Sequence, residues 1–471
     1  MGISTSKIKR NLVVSVAAQV VSICVSMLIS LIVPKFISEL EYSYWQSYVL
    51  YVSYVGVLHF GLLDGIVLRY SEYDYEQLDK PRLRSQFTIM LTMISIFSLI
   101  VSVCSIGFNG NNRFVCLFVA IGIITKNIYT YSSYTFQITN RISKYATLVV
   151  SMRAVYGIMI VAFLLLRVKS FFWFCIADLA SDLFGCIFSS RYSKGLYLGK
   201  SIPIREALQE FLINVKSGVM LMVANWAAGL VIGSAKMIVQ WHWDEIIFGK
   251  YSFSFSLSNL FLTFVSAISV VLFPSLKRMD KAELPNVYKG IRNVISPVLF
   301  IAMSLYFPAC VVLERWLPKY TESLVYLGGL LPIIVYTSKV SLLTNNYLKA
   351  YREEWKMLLI NVFSVICAFA FLSMSAFLFD NIAMLTVFVV LVIMGRSIAS
   401  ELVVMKLINQ NYFVDFVIEA LMTVVFIVAA SCFPLPIGCM VYLGVLVVYC
   451  IIYRKTLLNL FKRFRRKKTT V

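Results

Sequence analysis

The sequence predicts an all-α polytopic membrane protein of about fourteen transmembrane helices. Three observations carry that prediction. Apolar runs of about 20 residues, each long enough for one bilayer crossing, recur along the whole chain. Hydrophobic residues make up 60% of the chain and charged residues 14%, with mean hydropathy +0.83; a soluble domain carries about 25% charge. Lys and Arg collect in alternate connections between the runs. The alternating segments of about ten residues that mark a transmembrane barrel do not occur.

The first span, 11–33, is too long for a signal-peptide core and lacks a small-residue cleavage site before a soluble domain, so it reads as retained. Spans two to six follow at 45–66, 86–108, 114–137, 145–166 and 171–190. The longest connection, 191–216, contains "PIREALQEFLINVKSG", whose apolar spacing predicts an amphipathic helix starting at Pro203. Spans seven to twelve are placed at 217–240, 246–274, 293–313, 323–345, 357–378 and 381–405. The last pair, 414–433 and 435–453, is divided only by Pro434 and Pro436. The chain thus divides into a first six-span block (1–190), a linker (191–216), a second six-span block (217–405), spans thirteen and fourteen (406–453) and a basic tail (454–471).

With the N-terminus cytoplasmic, 31 of the 43 Lys and Arg fall in inside segments, 6 in outside segments and 6 within spans. Such a bias sets both termini on the cytoplasmic side. The net charge of +20 is then mostly topology and membrane surface. The tail "RKTLLNLFKRFRRKK" starts at a membrane exit and reads as a segment for anionic headgroups rather than nucleic acid. The ten cysteines lie almost entirely in apolar runs without paired spacing and read as reduced small hydrophobes. Two histidines are too few for a histidine-rich metal site, and the sequence carries no Walker-type glycine loop for nucleotide hydrolysis.

The informative residues are charges inside spans. "IGIITKNIYT" puts Lys126 in the middle of the fourth apolar run, where a lysine costs roughly 2.5–3.5 kcal/mol. Gly122, Lys126, Thr130, Ser133 and Gln137 share one helical stripe, predicting a polar face that leads to the cytoplasmic end. Arg153 in span five, Lys339 in span ten and Arg396 in span twelve also lie in the central or cytoplasmic parts of their helices. Lys236 and Lys250 sit nearer outer ends, where snorkelling accounts for them. Four interior cations favour an anion-binding cavity; the competing reading is structural ion pairing. Candidate partners are Asp178 and Asp182, four residues apart on span six, and Glu401 near Arg396. Asp64 lies at the exit of span two. Such carboxylates are also candidates for a coupling ion, H+ or Na+. Tyr48 and Tyr51 share a face and offer rings to stack on sugars, although the aromatic crowd at the outer half of span two, with Trp241, Trp243 and Trp316, reads mainly as an interfacial belt.

The two blocks show traces of a repeat. "ITKNIYTYSSYTFQITNRISKY" in span four has a rough counterpart in "VYTSKVSLLTNNYLKAYREEWK" in span ten: both are hydroxyl-rich, carry a mid-span lysine and end in a basic aromatic exit. Transporters commonly bind substrate between such halves.

The entry "SKIKRNLVVSVAAQVVSICVSMLISLIVPKFIS", the exit "FGLLDGIVLRYSE" of span two and "VLFPSLKRM" closing span eight, together with the layout over the whole chain, resemble the polysaccharide and O-antigen flippases of the multidrug/oligosaccharidyl-lipid/polysaccharide exporter superfamily. The resemblance implies two six-helix lobes around a central cavity, plus two C-terminal helices, in the bacterial inner membrane. It implies an undecaprenyl-diphosphate-linked oligosaccharide as substrate, moved to the periplasmic leaflet by alternating access, and a polysaccharide polymerase and chain-length regulator as partners. A diphosphate is an anion that Lys126, Arg153, Lys339 and Arg396 would hold. Two alternatives remain at this point. A membrane glycosyltransferase or polymerase would need outer carboxylates, for which Glu39 and Glu41 are the candidates near the first outer loop. A multidrug exporter of the same superfamily would need a net acidic cavity.

Overall fold

The computed structural model describes residues 20–139, 141–277 and 283–454. The start of the N-terminal motif, part of "VLFPSLKRM" and all of the basic tail beyond Arg454 lie outside these residues. Every described element is helical: α1 (Val20–Phe36), α2 (Glu39–His59), α3 (Leu62–Tyr70), α4 (Lys80–Gly107), α5 (Gly110–Ile138), α6 (Ser143–Leu165), α7 (Phe171–Tyr192), α8 (Ile204–His242), α9 (Glu245–Lys277), α10 (Leu284–Met303), α11 (Tyr306–Trp316), α12 (Pro318–Leu330), α13 (Ile333–Ala350), α14 (Glu354–Leu378), α15 (Ile382–Ile408), α16 (Phe413–Ser431) and α17 (Leu435–Ile452).

Among the described residues nine helices are long and apolar enough to cross a membrane, or up to twelve when α2–α3, α10–α11 and α12–α13 each count as one bent span. α1 and α9 lie where the first and eighth spans are expected. The chain is therefore a polytopic all-α membrane protein.

The bends have local causes. α2 and α3 meet at 55°, where Phe60 (φ 50) and Gly61 (φ 83) take left-handed backbone conformations. A Cβ on Gly61 would lie 2.6 Å from the backbone nitrogen of Val219 on α8. The close approach is reciprocal: a Cβ on Gly218, beside Val219, would lie 2.1 Å from both the Gly61 oxygen and the Gly65 nitrogen. Only glycines let α3 and α8 touch backbone to backbone. α12 and α13 bend by 45° at Pro332, which has no N–H to donate. Caps set the starts of two long helices. Asp79 accepts from the Arg82 amide at α4 (3.1 Å) and Asn381 from the Met384 amide at α15 (2.9 Å).

The chain forms two compact units: residues 1–229 with 244–249, and residues 230–243 with 250–471. In the first, α5 packs against α2, α4, α6 and α7. In the second, α15 packs against α12, α13 and α14, and α16 against α12 and α17. The amphipathic segment expected in the linker is the first part of α8, continuous with the seventh span. It is fastened to α3: Arg69 reaches Glu210 at 2.7 Å and Asn214 at 2.5 Å, and the Tyr70 hydroxyl donates to Glu210 at 2.9 Å.

The aromatic crowd of the second span departs from the belt expectation. Trp45 and Tyr48 are buried, packed against Phe174 and Phe118, because that face of α2 meets α5 and α7 within the unit rather than the bilayer surface. Trp241 and Trp316 are exposed, as belt residues are.

Candidate functional site

Among the described residues, Lys126 in the first unit and Lys339 in the second each sit in an ion cluster within the helical bundle. In the first, Lys126 on α5 points at α7, where Asp178 and Asp182 occupy one face by their four-residue spacing. Its ammonium lies 2.8 Å from Asp182 and 3.1 Å from Asp178. The Tyr48 hydroxyl donates to Asp178 at 2.8 Å, and the Thr125 hydroxyl is 3.5 Å from Asp182. Asp182 is almost closed off, with 3% of its side chain exposed, while Lys126 and Asp178 keep 19% and 24%. The cluster thus opens on its Asp178 side. Formally it carries one positive and two negative charges.

The expected polar stripe around Lys126 is uneven. Thr130 turns its hydroxyl back onto the Lys126 carbonyl, Ser133 is buried and Gln137 is exposed. Gly122 at the other end is packed against the Val52 side chain, which a Cβ there would meet at 2.6 Å. Arg153, on α6, is exposed. The Tyr48 ring is fully buried and its hydroxyl is spent on Asp178, so it has no face for a sugar; Tyr51 is half-buried. This corrects the stacking expectation for Tyr48. Tyr48 lies on the side of α2 that meets Asp178 inside the unit, and a sequence pattern does not show that this side is enclosed. Asp64 is buried in the first turn of α3, beside the close glycine contact with α8.

The second unit's cluster is larger and drier. Lys339 on α13 lies 2.6 Å from Glu401 on α15 and 2.6 Å from Glu419 on α16. Arg292 on α10 pairs through Nε with Glu401, and reaches Asp415 at 3.1 Å and Glu419 at 3.4 Å. Tyr288 donates to Glu401 at 3.1 Å and Ser296 to Glu419 at 2.7 Å. The guanidinium also lies 4.5 Å from the Tyr412 ring centre. Two cations face three carboxylates, and only Asp415 has more than a trace of exposure, at 23%. Four helices are tied together here. A π-helical turn, Val340–Thr344, directly follows Lys339; such irregular turns are frequent at functional sites.

Two sequence expectations change. Glu401 pairs with Lys339 and Arg292, not with Arg396. Five helical residues turn the direction by about 140°, so the two side chains leave α15 on different faces. Arg396 instead donates to Asn361 on α14 at 2.8 Å. Lys339 shows 1% of its side chain and is enclosed by glutamates, whereas a diphosphate ligand needs a reachable ammonium.

Sequence reasoning missed Arg292, Asp415 and Glu419. Arg292 sits one residue before the expected ninth span and was counted as a cytoplasmic loop cation. Asp415 and Glu419 repeat the four-residue spacing of Asp178 and Asp182, and that was the available signal. Glu41, a candidate for an enzymatic reading, accepts from the Phe171 amide at 2.6 Å and so caps the start of α7.

The clusters correspond in chain order. Lys126 lies in the fourth expected span and its carboxylates in the sixth; Lys339 lies in the tenth and Glu401 in the twelfth. Both partners shift by six spans, as an internal repeat requires.

No family model matches the chain, and no curated protein matches it. Solved structures do. The fold is similar to that of the lipid II flippase MurJ in an inward closed conformation, with TM-score 0.65 and 13% identity over 94% of this chain and 99% of that one. It is similar to an inward-facing multidrug resistance MATE family transporter of the MOP superfamily, with TM-score 0.60 and 13% identity over 83% and 98%. A mutant of the Vibrio cholerae MATE transporter VcmN aligns with TM-score 0.53 and 12% identity over 86% and 98%. The chain has the fold of MOP superfamily transporters.

Proposed function

We propose that the protein is a flippase that carries an undecaprenyl-diphosphate-linked oligosaccharide, of O-antigen or capsule type, from the cytoplasmic to the periplasmic leaflet of the bacterial inner membrane. The observation that supports this most is Lys126: a partly exposed cation held ready by two aspartates, in a fold shared with a lipid II flippase. Lys126 and the exposed Arg153 of the same unit are the groups assigned to the diphosphate. Asp178 and Asp182 hold Lys126 when the site is empty, and the incoming phosphates replace them. Lys339 then acts as a structural and coupling residue of the second unit.

Energetics fits this assignment. Moving two negative charges outward down an inside-negative potential is favourable by about 4.6 kcal/mol per 100 mV. A coupling ion, H+ or Na+, has a place in the same scheme. Each cluster has one more carboxylate than cation, and neutralising Asp178 or Asp182 loosens their hold on Lys126.

The carboxylate excess also favours a second reading, a multidrug exporter of organic cations. Outward flipping of a diphosphate-linked lipid oligosaccharide in proteoliposomes tests the first reading. Wild type should flip, Lys126→Ala should fail and Lys126→Arg should retain activity. Efflux of an organic cation such as ethidium, with no flipping of the lipid, would establish the second instead.

A further inference from the structure

The first three turns of α8 carry their polarity the opposite way to a surface helix of a soluble domain, which turns its apolar stripe inward. Ala207, Glu210, Asn214 and Gly218 form the buried stripe, against α3 and α4. Ile204, Leu208 and Leu212, at four-residue spacing, face outward and are 68%, 47% and 64% exposed. Exposed Val219 extends their stripe into the seventh span. The connection before α8 is fixed as well. Arg84 on α4 donates to the Gly195 carbonyl at 2.7 Å and to the Lys200 carbonyl, and the Ile202 amide donates to Ser85 at 3.0 Å. The unit thus holds the apolar stripe outward from both ends.

Arg205 and Lys216 border this stripe. They lie three turns apart on one edge of the helix, about 16 Å along its axis. Both are exposed, and neither has a carboxylate within ion-pair distance among the described residues. Lys194 and Lys200 add exposed charge just upstream. The exposed carboxylate of these turns, Glu206, points about 100° around from Arg205. α8 has 39 residues and is about 58 Å long, while a bilayer core needs about 20 residues. At a tilt of about 40°, the top of the range for membrane helices, it reaches through about 44 Å, the depth of core plus headgroup layers. Leu208 and Leu212 then straddle the acyl–headgroup boundary. An aliphatic stripe with a basic edge at that depth is the complement of an anionic lipid surface. A protein-docking hot spot is centred on Trp, Tyr or Arg, whereas the centre of this stripe is Leu208.

We propose that the first three turns of α8 are a docking face for anionic phospholipids of the cytoplasmic leaflet. Arg205 and Lys216 take the lipid phosphates, and Ile204, Leu208 and Leu212 lie among the upper parts of the acyl chains. Through Glu210, which holds Arg69 and Tyr70, the docked turns anchor α3 at the same leaflet. This inference is independent of the flippase reading: bilayer lipid is held here as a fixture and not as cargo.

Hydrogen–deuterium exchange of the full chain tests it, in nanodiscs of phosphatidylcholine alone or mixed equally with phosphatidylglycerol. Such discs hold no lipid-linked oligosaccharide, so the phosphate comes from bilayer lipid. Amides of residues 204–216 should exchange more slowly in the mixed discs, about fivefold for each basic residue engaged. Arg205→Gln with Lys216→Gln should remove that difference. Arg113→Gln with Lys169→Gln, the same charge change at exposed sites on other connections, should keep it. Leu212→Asp, at an exposed position away from the buried stripe, should speed exchange in both kinds of disc. The proposal is overturned if phosphatidylglycerol leaves exchange unchanged, or if the Arg205 and Lys216 double variant keeps the full difference. It is also overturned if Leu212→Asp exchanges like wild type, which would leave the stripe in water as a surface for a soluble partner.

Discussion

Replacing Lys126 with alanine leaves Asp178 and Asp182 side by side with their shared cation gone. Removing one partner of a buried pair costs about 3–5 kcal/mol. Here Asp182 is almost closed off but Asp178 and Lys126 keep 24% and 19% of their side chains exposed. Water and proton uptake therefore relieve part of the repulsion, and the loss should be about 2–3 kcal/mol. For a unit of this size that lowers the thermal midpoint by about 5–10 °C. The assay is thermal unfolding of the purified protein in detergent, run beside the flipping assay. Adding Asp182→Asn removes the excess charge and should recover most of the midpoint, yet flipping should stay absent because the cation is still missing. That separation distinguishes a transport role from a structural one. An unchanged midpoint in Lys126→Ala, or a double variant no more stable than the single one, would refute the electrostatic argument. Full flipping by the double variant would remove Lys126 from the mechanism.

Three further outcomes are expected. Lys339→Ala, in the drier cluster, should cost more than Lys126→Ala, about 3–5 kcal/mol, read as a larger fall in thermal midpoint or loss of folded protein on size exclusion; equal effects would contradict the burial difference. Gly218→Ala should prevent folding, since its Cβ would lie 2.1 Å from backbone atoms of Gly61 and Gly65, whereas Gly290→Ala, with nothing within 4 Å, should be neutral or stabilising by up to about 1 kcal/mol; comparable expression of both variants would count against the close α3–α8 contact. Tyr48→Phe removes one hydrogen bond to a charged acceptor and should cost about 1.5–3 kcal/mol by thermal unfolding while flipping continues; selective loss of flipping at normal stability would restore a substrate role to this ring.

Much of this protein was readable before its fold was known. Apolar run length depends only on bilayer thickness, so class and most span positions follow from composition and spacing. A lysine within such a run announces a partner, and Asp178 and Asp182 announce themselves by sharing one helical face. Which carboxylate meets which cation is a different matter. Glu401 is near Arg396 along the chain but turned away from it. Arg292, at the edge of an apolar run, is indistinguishable by sequence from the loop cations beside it. Only the packing of α10, α13, α15 and α16 carries Arg292 inward to three carboxylates. Hydropathy acts through each residue's own transfer energy and can be summed along a chain. Ion pairing acts through distances between helices, and those distances are decided by the tertiary structure, in this case by where glycines let backbones touch and which faces α5 and α15 present.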